Sequence, residues 1–202
     1  MTDNVVHVID DDAAMRDSLS FLLEASEIPS RTYESGPDFL DHIGNLQPGC
    51  IVTDVRMPEM SGLELIGRLR QLGVSLPVIV ITGHADVPLA IEAMKAGVHD
   101  FIEKPFDDET LLTAIRAALA QAQDQQRRHE ERSAIQGKLD SLSTREREVL
   151  EGLVAGHANK VIAYDLGISP RTVEIYRANV MTKMGAASLS ELVRMSLAAQ
   201  RA

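Results

Sequence analysis

The chain has one cysteine, Cys50, so no disulfide can form within it. It has no apolar run approaching the roughly 18 residues that a membrane-spanning helix needs. The opening residues, MTDNVVHVID, lack a basic start and a long apolar stretch ahead of a small-residue cleavage site, so they do not read as a signal peptide. No Gly-x-x-x-x-Gly-Lys-Ser/Thr run is present, which argues against a P-loop nucleotide site. These absences fit a soluble protein in a reducing cytoplasm, with no membrane partner.

At 202 residues the chain can hold one large domain or two small ones, each with its own core. Its net charge of −10 is unevenly spread. Residues 1–124 hold 8 basic against 21 acidic side chains, leaving −13, whereas residues 125–202 hold 12 against 9, leaving +3. An acidic half repels phosphate backbones and suits a cation, while a mildly basic half suits nucleic acid. Ordinary surface variation would also give such a split.

Short apolar runs at 5–9, 50–53, 77–81 and 100–103, with a weaker candidate at 28–33, read as strands buried on both faces. Amphipathic segments at 13–25, 37–43, 62–72, 87–95 and 109–122 lie between or after them. Five βα repeats predict a doubly wound parallel α/β domain with its ligand site at the carboxyl ends of the strands. We place this domain at 1–122. The stretch QAQDQQRRHEER is polar on every side, which predicts a helical linker over 123–139 or, alternatively, a flexible one.

Residues 140–202 carry helix punctuation. Ser143 with Glu146 forms a capping box, and Ser188 with Glu191 repeats it. Asn159 is a candidate cap for a helix ending at Gly167, and Ser169 with Pro170 opens the next, which Gly185 stops. The expectation is an all-α domain of four short helices.

The predicted strand ends gather Asp10, Asp11 and Asp54 with Thr82 and Lys104. Two carboxylates about 4 Å apart repel by roughly 4 kcal/mol at an effective dielectric of 20, so the cluster calls for a positive partner. A divalent cation such as Mg²⁺, which prefers oxygen ligands, would supply it, and Lys104 adds a point charge. Asp54 could then act as a nucleophile toward phosphorus, with the Thr82 hydroxyl bonding the new oxygens. Taken singly, each Asp is equally a helix cap.

The joint pattern VIDDD, TDVRMPEMSG, VIVITGH and DFIEKPF strongly resembles the receiver domains of bacterial two-component systems, which have a flavodoxin-like fold. The resemblance implies that a sensor histidine kinase phosphorylates Asp54, and that Asp10, Asp11, Asp54 and the Arg56 carbonyl hold Mg²⁺. It implies that Thr82 and Lys104 bind the phosphoryl group and that Thr82 couples to Phe101, a residue that could equally be core. It also implies a phosphorylation-dependent homodimer through Val87, Leu89, Ile91, Lys95 and Val98, and release of the DNA-binding domain. In such receivers the places that Arg56 and His84 occupy influence how fast the phosphoryl group is lost, which makes the Arg56 side chain a candidate shield for the acyl phosphate, or equally a solvated surface residue.

In the second half, a short helix, the turn GIS and the helix PRTVEIYRANVMTKM make a helix-turn-helix. Val173, Tyr176, Val180 and Met184 recur at core spacing. Glu174, Ile175 and Ala178, flanked by Arg171 and Thr182, then share the outer face suited to base edges. Lys160, Ser169, Thr172, Arg177, Asn179 and Lys183 are further candidates for contacts to double-stranded DNA. LSTREREVLEGLVAG, NKVIAYDLGISPRTVEIYRANVMTKM and SLSELVRM closely resemble the LuxR-type helix-turn-helix domain. The whole chain is similar to the NarL/FixJ group of response regulators. TGHADVPLAIEAMKAG, DFIEKPF and LGISPRTVE with RANVM are most similar to its activators of nitrogen-fixation genes, which answer to a haem oxygen-sensing kinase and act on RNA polymerase. One departure is that Glu174 and Ala178 are not basic. Two other classes are an aspartyl-phosphate hydrolase, weakened because Arg56 stands where a second Asp is needed, and a phosphorylated protein-interaction module.

Overall fold

The computed structural model describes residues 4–83 and 87–200, and the chain divides into two compact units, Met1–Gln126 and Arg127–Ala202. His84 and the side chain of Val87, the first residue of the expected dimer face, lie outside what is described.

In the first unit five strands, β1 (Val5–Ile9), β2 (Ser30–Tyr33), β3 (Gly49–Asp54), β4 (Val78–Thr82) and β5 (Asp100–Glu103), form one parallel sheet in the order β2-β1-β3-β4-β5. Helices α1 (Ala13–Ala25), α2 (Gly36–Asp41), α3 (Gly62–Gln71), α4 (Val87–Lys95) and the first part of α5 (Asp108–Asp140) connect and cover it. The apolar runs lack polar alternation because both faces are buried. Val6, Val8, Cys50, Val52, Ile79 and Ile81 pack with Leu19, Leu23, Leu111 and Ile115. On the other face Ile9, Ile51 and Val80 pack with Phe39, Leu65 and Ile66. Burial pushes the Cys50 thiol up to about 12, so this cysteine is inert core. The buried His7 spends both ring nitrogens, one on the Tyr33 hydroxyl at 3.1 Å and one on the Gln47 carbonyl at 3.0 Å.

The order matters for the site. From β1 the chain passes to β2 on one side and then to β3 on the other, so the connections diverge between the carboxyl ends of β1 and β3. A doubly wound sheet opens its ligand crevice at such a point.

Helix α5 runs without a break to Asp140, so the stretch 121–132 is helical and the helix does not end near 122. In the second unit Ile135 and Leu139 of α5 pack on α6 (Thr144–Val154), α7 (Asn159–Leu166), α8 (Pro170–Met184) and α9 (Leu189–Gln200). Ser143 and Glu146 make the expected capping box. Asn159 is not a cap: Ala158 holds that place with no side-chain bond, and Asn159 is the first helical residue. Before α9 Ser188 Oγ accepts from the Glu191 amide at 3.2 Å as the capping box requires, while the Glu191 carboxylate accepts from the Ala187 amide at 2.8 Å, one residue earlier than in a standard box.

Candidate functional site

Asp10, the residue after β1, is 2% exposed, and Asp54 is the last residue of β3. Lys104, just after β5, extends its ammonium between them. Its Nζ donates to Asp54 Oδ2 at 2.7 Å and to Asp10 Oδ2 at 3.2 Å. The remaining carboxylate oxygens are held by backbone: Asp12 N–H donates to Asp10 Oδ1 and Arg56 N–H to Asp54 Oδ1, each at 2.9 Å. Burial raises the Asp10 carboxyl above its ordinary range, a push that the Asp12 amide and Lys104 only partly offset. Burial also works against the Lys104 charge, but hydrogen bonding and attraction from Asp54 and Asp10 outweigh it, so Lys104 is raised and stays protonated.

Three local features fix this geometry. Asp12 caps α1 by accepting from the Ala14 amide at 2.9 Å, which starts the helix at Ala13, directly after the site. Arg16, one turn into α1, donates through Nη1 to the Asp10 carbonyl at 2.6 Å. The sequence reading did not single out Arg16; its only signal is a basic residue one turn after three acids. Gly62, at the start of α3, lies against the Asp54 carbonyl, where a β-carbon would collide with the oxygen.

Asp11 is exposed at the mouth of the site, as is the Arg56 side chain. Among the described residues no three His, Cys, Asp or Glu side chains are grouped to hold a metal, and the Lys104 ammonium lies between the two inward carboxylates. The donor chemistry nevertheless suits a hard cation: two converging carboxylates, a third nearby, and all oxygen.

Thr82 is fully buried at the end of β4, and its carbonyl accepts from the Lys104 amide at 2.8 Å. Phe101 on β5 is half-buried against the core shared by α3 and α4. Along α4, Leu89 is half-buried while Ile91 and Lys95 are exposed. Val98 departs from the expected dimer face. At 8% exposure it packs in the core cluster that also contains Ala93, because the chain turns inward after Gly97. Met94, 54% exposed and one turn beyond Ile91, takes the outer place that the sequence reading missed.

In the second unit Val173, Val180 and Met184 of α8 are buried and Tyr176 is half-buried, as their spacing predicts. The outer face carries Arg171, Glu174, Ile175, Ala178, Asn179 and Thr182, with Ile175 56% exposed. Lys160 on α7 is exposed and Arg177 is half-buried. Ser169 and Thr172 are engaged in the helix cap: Ser169 Oγ accepts from the Thr172 amide at 3.1 Å and lies 2.8 Å from its hydroxyl. Lys183 is also committed elsewhere, donating to Glu146 Oε2 at 2.7 Å and to the Ser141 carbonyl at 3.3 Å. Its ammonium ties α8 to the start of α6. Tyr164 on α7, among the most exposed apolar side chains described, drew no attention in the sequence.

Residues 6–116 match the response regulator receiver domain, and residues 140–196 match the luxR family of bacterial regulatory proteins. The chain is 60% identical over 194 residues to the transcriptional regulatory protein FixJ of Azorhizobium caulinodans, covering 96% of this chain and 92% of that one. It is 50% identical over 198 residues to FixJ of Rhizobium meliloti, covering 98% and 97%. Among solved structures, the response regulator StyR superposes with a TM-score of 0.87 at 37% identity, covering 96% of this chain and 98% of that one. Full-length FixJ from B. japonicum gives 0.61 at 49% identity over the whole of both chains. These relatives are regulators rather than catalytic enzymes, so neither the hydrolase nor the protein-interaction reading is favoured. The chain belongs to the FixJ-like two-component response regulators, with a receiver domain that implies a sensor kinase partner and a LuxR-type domain that binds DNA.

Proposed function

We propose that Asp54 is the phosphoacceptor and that its phosphorylation turns on transcription from DNA bound by α8. The observation that carries this reading is the Lys104 ammonium lodged between Asp54 and Asp10 at the crevice of the sheet. In the step itself an Asp54 oxygen attacks the phosphorus of a phosphohistidine on a FixL-like kinase. The O–P bond forms as the P–N bond breaks, and the electron pair returns to the imidazole nitrogen. Lys104 then exchanges carboxylate for phosphoryl oxygen without moving to a new site. Asp10, Asp11, Asp54 and the Arg56 carbonyl would hold Mg²⁺, which when bound neutralises charge on the transferring group. Asp10 is kept in place for this by the Asp12 amide and by Arg16 on its carbonyl.

The Thr82 hydroxyl turns to the new phosphoryl oxygens, Phe101 follows it, and the α4 surface of Leu89, Ile91, Met94 and Lys95 becomes the face of a homodimer. A dimer spaces two recognition helices on two half-sites, which raises affinity through effective concentration. Glu174 and Ile175 read base edges, and Arg171, Lys160, Arg177 and Asn179 contact phosphates. By likeness to FixJ the controlled genes are those of nitrogen fixation or oxygen response, with RNA polymerase as the recruited machine and the cytoplasm as the site of action. Domain limits of 1–122, 123–139 and 140–202 serve this reading.

Gel shift and light scattering with acetyl phosphate and Mg²⁺ test it, comparing wild type with Asp54→Asn. A wild-type dimer with tightened DNA binding, absent in the variant, is the expected result. An unchanged mass and affinity in the wild type, or a variant that responds equally, would overturn it.

A further inference from the structure

At the end of the sheet opposite Asp54, a cleft of about 610 Å³ opens between the last turn of α3, the loop into β4, the turn between α4 and β5, and the middle of α5. Its size is within the range of small-molecule sites. Ile66, Leu69, Val78 and Val98 give it an apolar floor, and all four are buried. Arg70, His99, Gln121 and Gln125 are its polar rim. Among the described residues no Asp or Glu lines it, although residues 1–124 carry a net charge of −13. In so acidic a unit, a basic cleft free of carboxylates is a local inversion of charge.

The rim is ordered by specific contacts. Gly97, at φ 68°, has no side chain, and the Arg70 guanidinium lies in the space a β-carbon would take. Among the described residues that guanidinium has neither an ion pair nor a hydrogen bond. The His99 amide donates to the Val78 carbonyl at 2.7 Å, which fixes the α4–β5 turn against β4. The His99 ring pairs through Nδ1 with Gln121 Oε1 at 2.7 Å. With its oxygen accepting from the ring, Gln121 has its NH₂ group left as a donor.

We propose that this cleft binds a small organic monocarboxylate. The carboxylate pairs with the forked guanidinium of Arg70 and accepts from the Gln121 and Gln125 amides, and the apolar body lies on Ile66 and Val98. A compact inorganic anion would leave that floor uncovered, and a neutral apolar molecule would leave Arg70 unpaired. The cleft does not include Asp10, Asp54 or Lys104, so its fate is separate from that of the phosphoacceptor reading. It does touch the beginnings of β4 and the turn into β5, the strands whose far ends present Thr82 and Lys104.

Benzoate is the probe, titrated into the full ¹⁵N-labelled chain, with benzyl alcohol and inorganic phosphate as comparisons. Saturable shifts of the Gln121 and Gln125 side-chain amides and of the Gly97 and His99 backbone amides are expected, with a Kd of about 1 mM or below. Arg70→Gln should weaken benzoate at least about tenfold while leaving the melting temperature and acetyl-phosphate labelling unchanged, and benzyl alcohol should bind at least about tenfold more weakly than benzoate. Absence of saturable shifts, equal response to benzyl alcohol or phosphate, or an Arg70→Gln chain that binds benzoate as wild type does would each overturn the proposal.

Discussion

Lys183 Nζ stands 2.7 Å from Glu146 Oε2 and so joins the last turn of α8 to the capping box of α6. Glu146 is buried and accepts from Ser143 as well, through both its amide and its hydroxyl. One carboxylate therefore closes a cap and pins α8. The hydrogen bond from Lys183, then those from Ser143, hold the Glu146 carboxyl below its ordinary value of 4.5. A depressed carboxyl stabilises the fold above its unfolded value and loses that contribution as pH falls through the folded one. Glu146→Gln should therefore melt below wild type at pH 7, and the gap should shrink as pH drops below about 4.5. Thermal unfolding of the second unit between pH 3 and 7 measures it; a gap that does not narrow in acid would contradict the assignment.

Asp10 is a carboxylate whose charge is opposed by its own burial and by Asp54. Asp10→Asn keeps the shape and lets Lys104 serve Asp54 alone. The unphosphorylated first unit should gain stability at neutral pH, by several degrees for a change of about 1 kcal/mol, while losing response to Mg²⁺ and acetyl phosphate. Differential scanning calorimetry and phosphodonor labelling check both halves of the statement.

Gly62 must stay without a side chain because a β-carbon would meet the Asp54 carbonyl. Gly62→Ala should cost about 1–3 kcal/mol, the usual scale of overpacking, and should slow labelling of Asp54 by shifting the end of β3. Urea unfolding gives the first quantity and a labelling time course the second. Wild-type behaviour in both would mean that the loop yields freely.

The Arg56 amide is bound to Asp54 Oδ1, so its exposed side chain starts directly beside Asp54. Lying across an acyl phosphate, it would exclude water with its apolar stem. Arg56→Ala should shorten the half-life of the phosphorylated chain several-fold. An unchanged half-life would show that the side chain stays in solvent.

On α8, Glu174 and Arg171 should separate by type of contact. Glu174→Ala should relax preference at one base position, by about 1–3 kcal/mol. Arg171→Ala should weaken all sequences alike and reduce the salt slope by about one. Binding to operator variants across a salt series distinguishes them, and a uniform loss in Glu174→Ala would reassign that residue to the backbone.

Much of the molecule was legible along the chain because its cues are local. Unalternated apolar runs marked strands covered on both faces, and acids or lysine at their ends had to meet at one edge once the strands were parallel. The capping box at Ser143 and Glu146, and the core spacing of Val173, Val180 and Met184, are likewise written within a few residues. Helix α5 was harder to delimit. Its polar stretch has no stop signal, and its far end gains a role from the packing of Ile135 and Leu139 within the second unit.

What the sequence determined by itself was the set of elements and the edge at which Asp10, Asp54 and Lys104 would gather, since hydrophobic period and strand direction are properties of the chain. The tertiary structure alone decided which partner each side chain takes. Lys183 looked like a phosphate contact until folding brought Glu146, 37 positions earlier, within reach of it. Val98 looked like surface until the turn at Gly97 sent it into the core and left Met94 outside. The cleft of Arg70, His99 and Gln121 draws on three elements distant in sequence. Such pairings depend on how helices and strands pack, and a one-dimensional pattern holds no record of the distances that result.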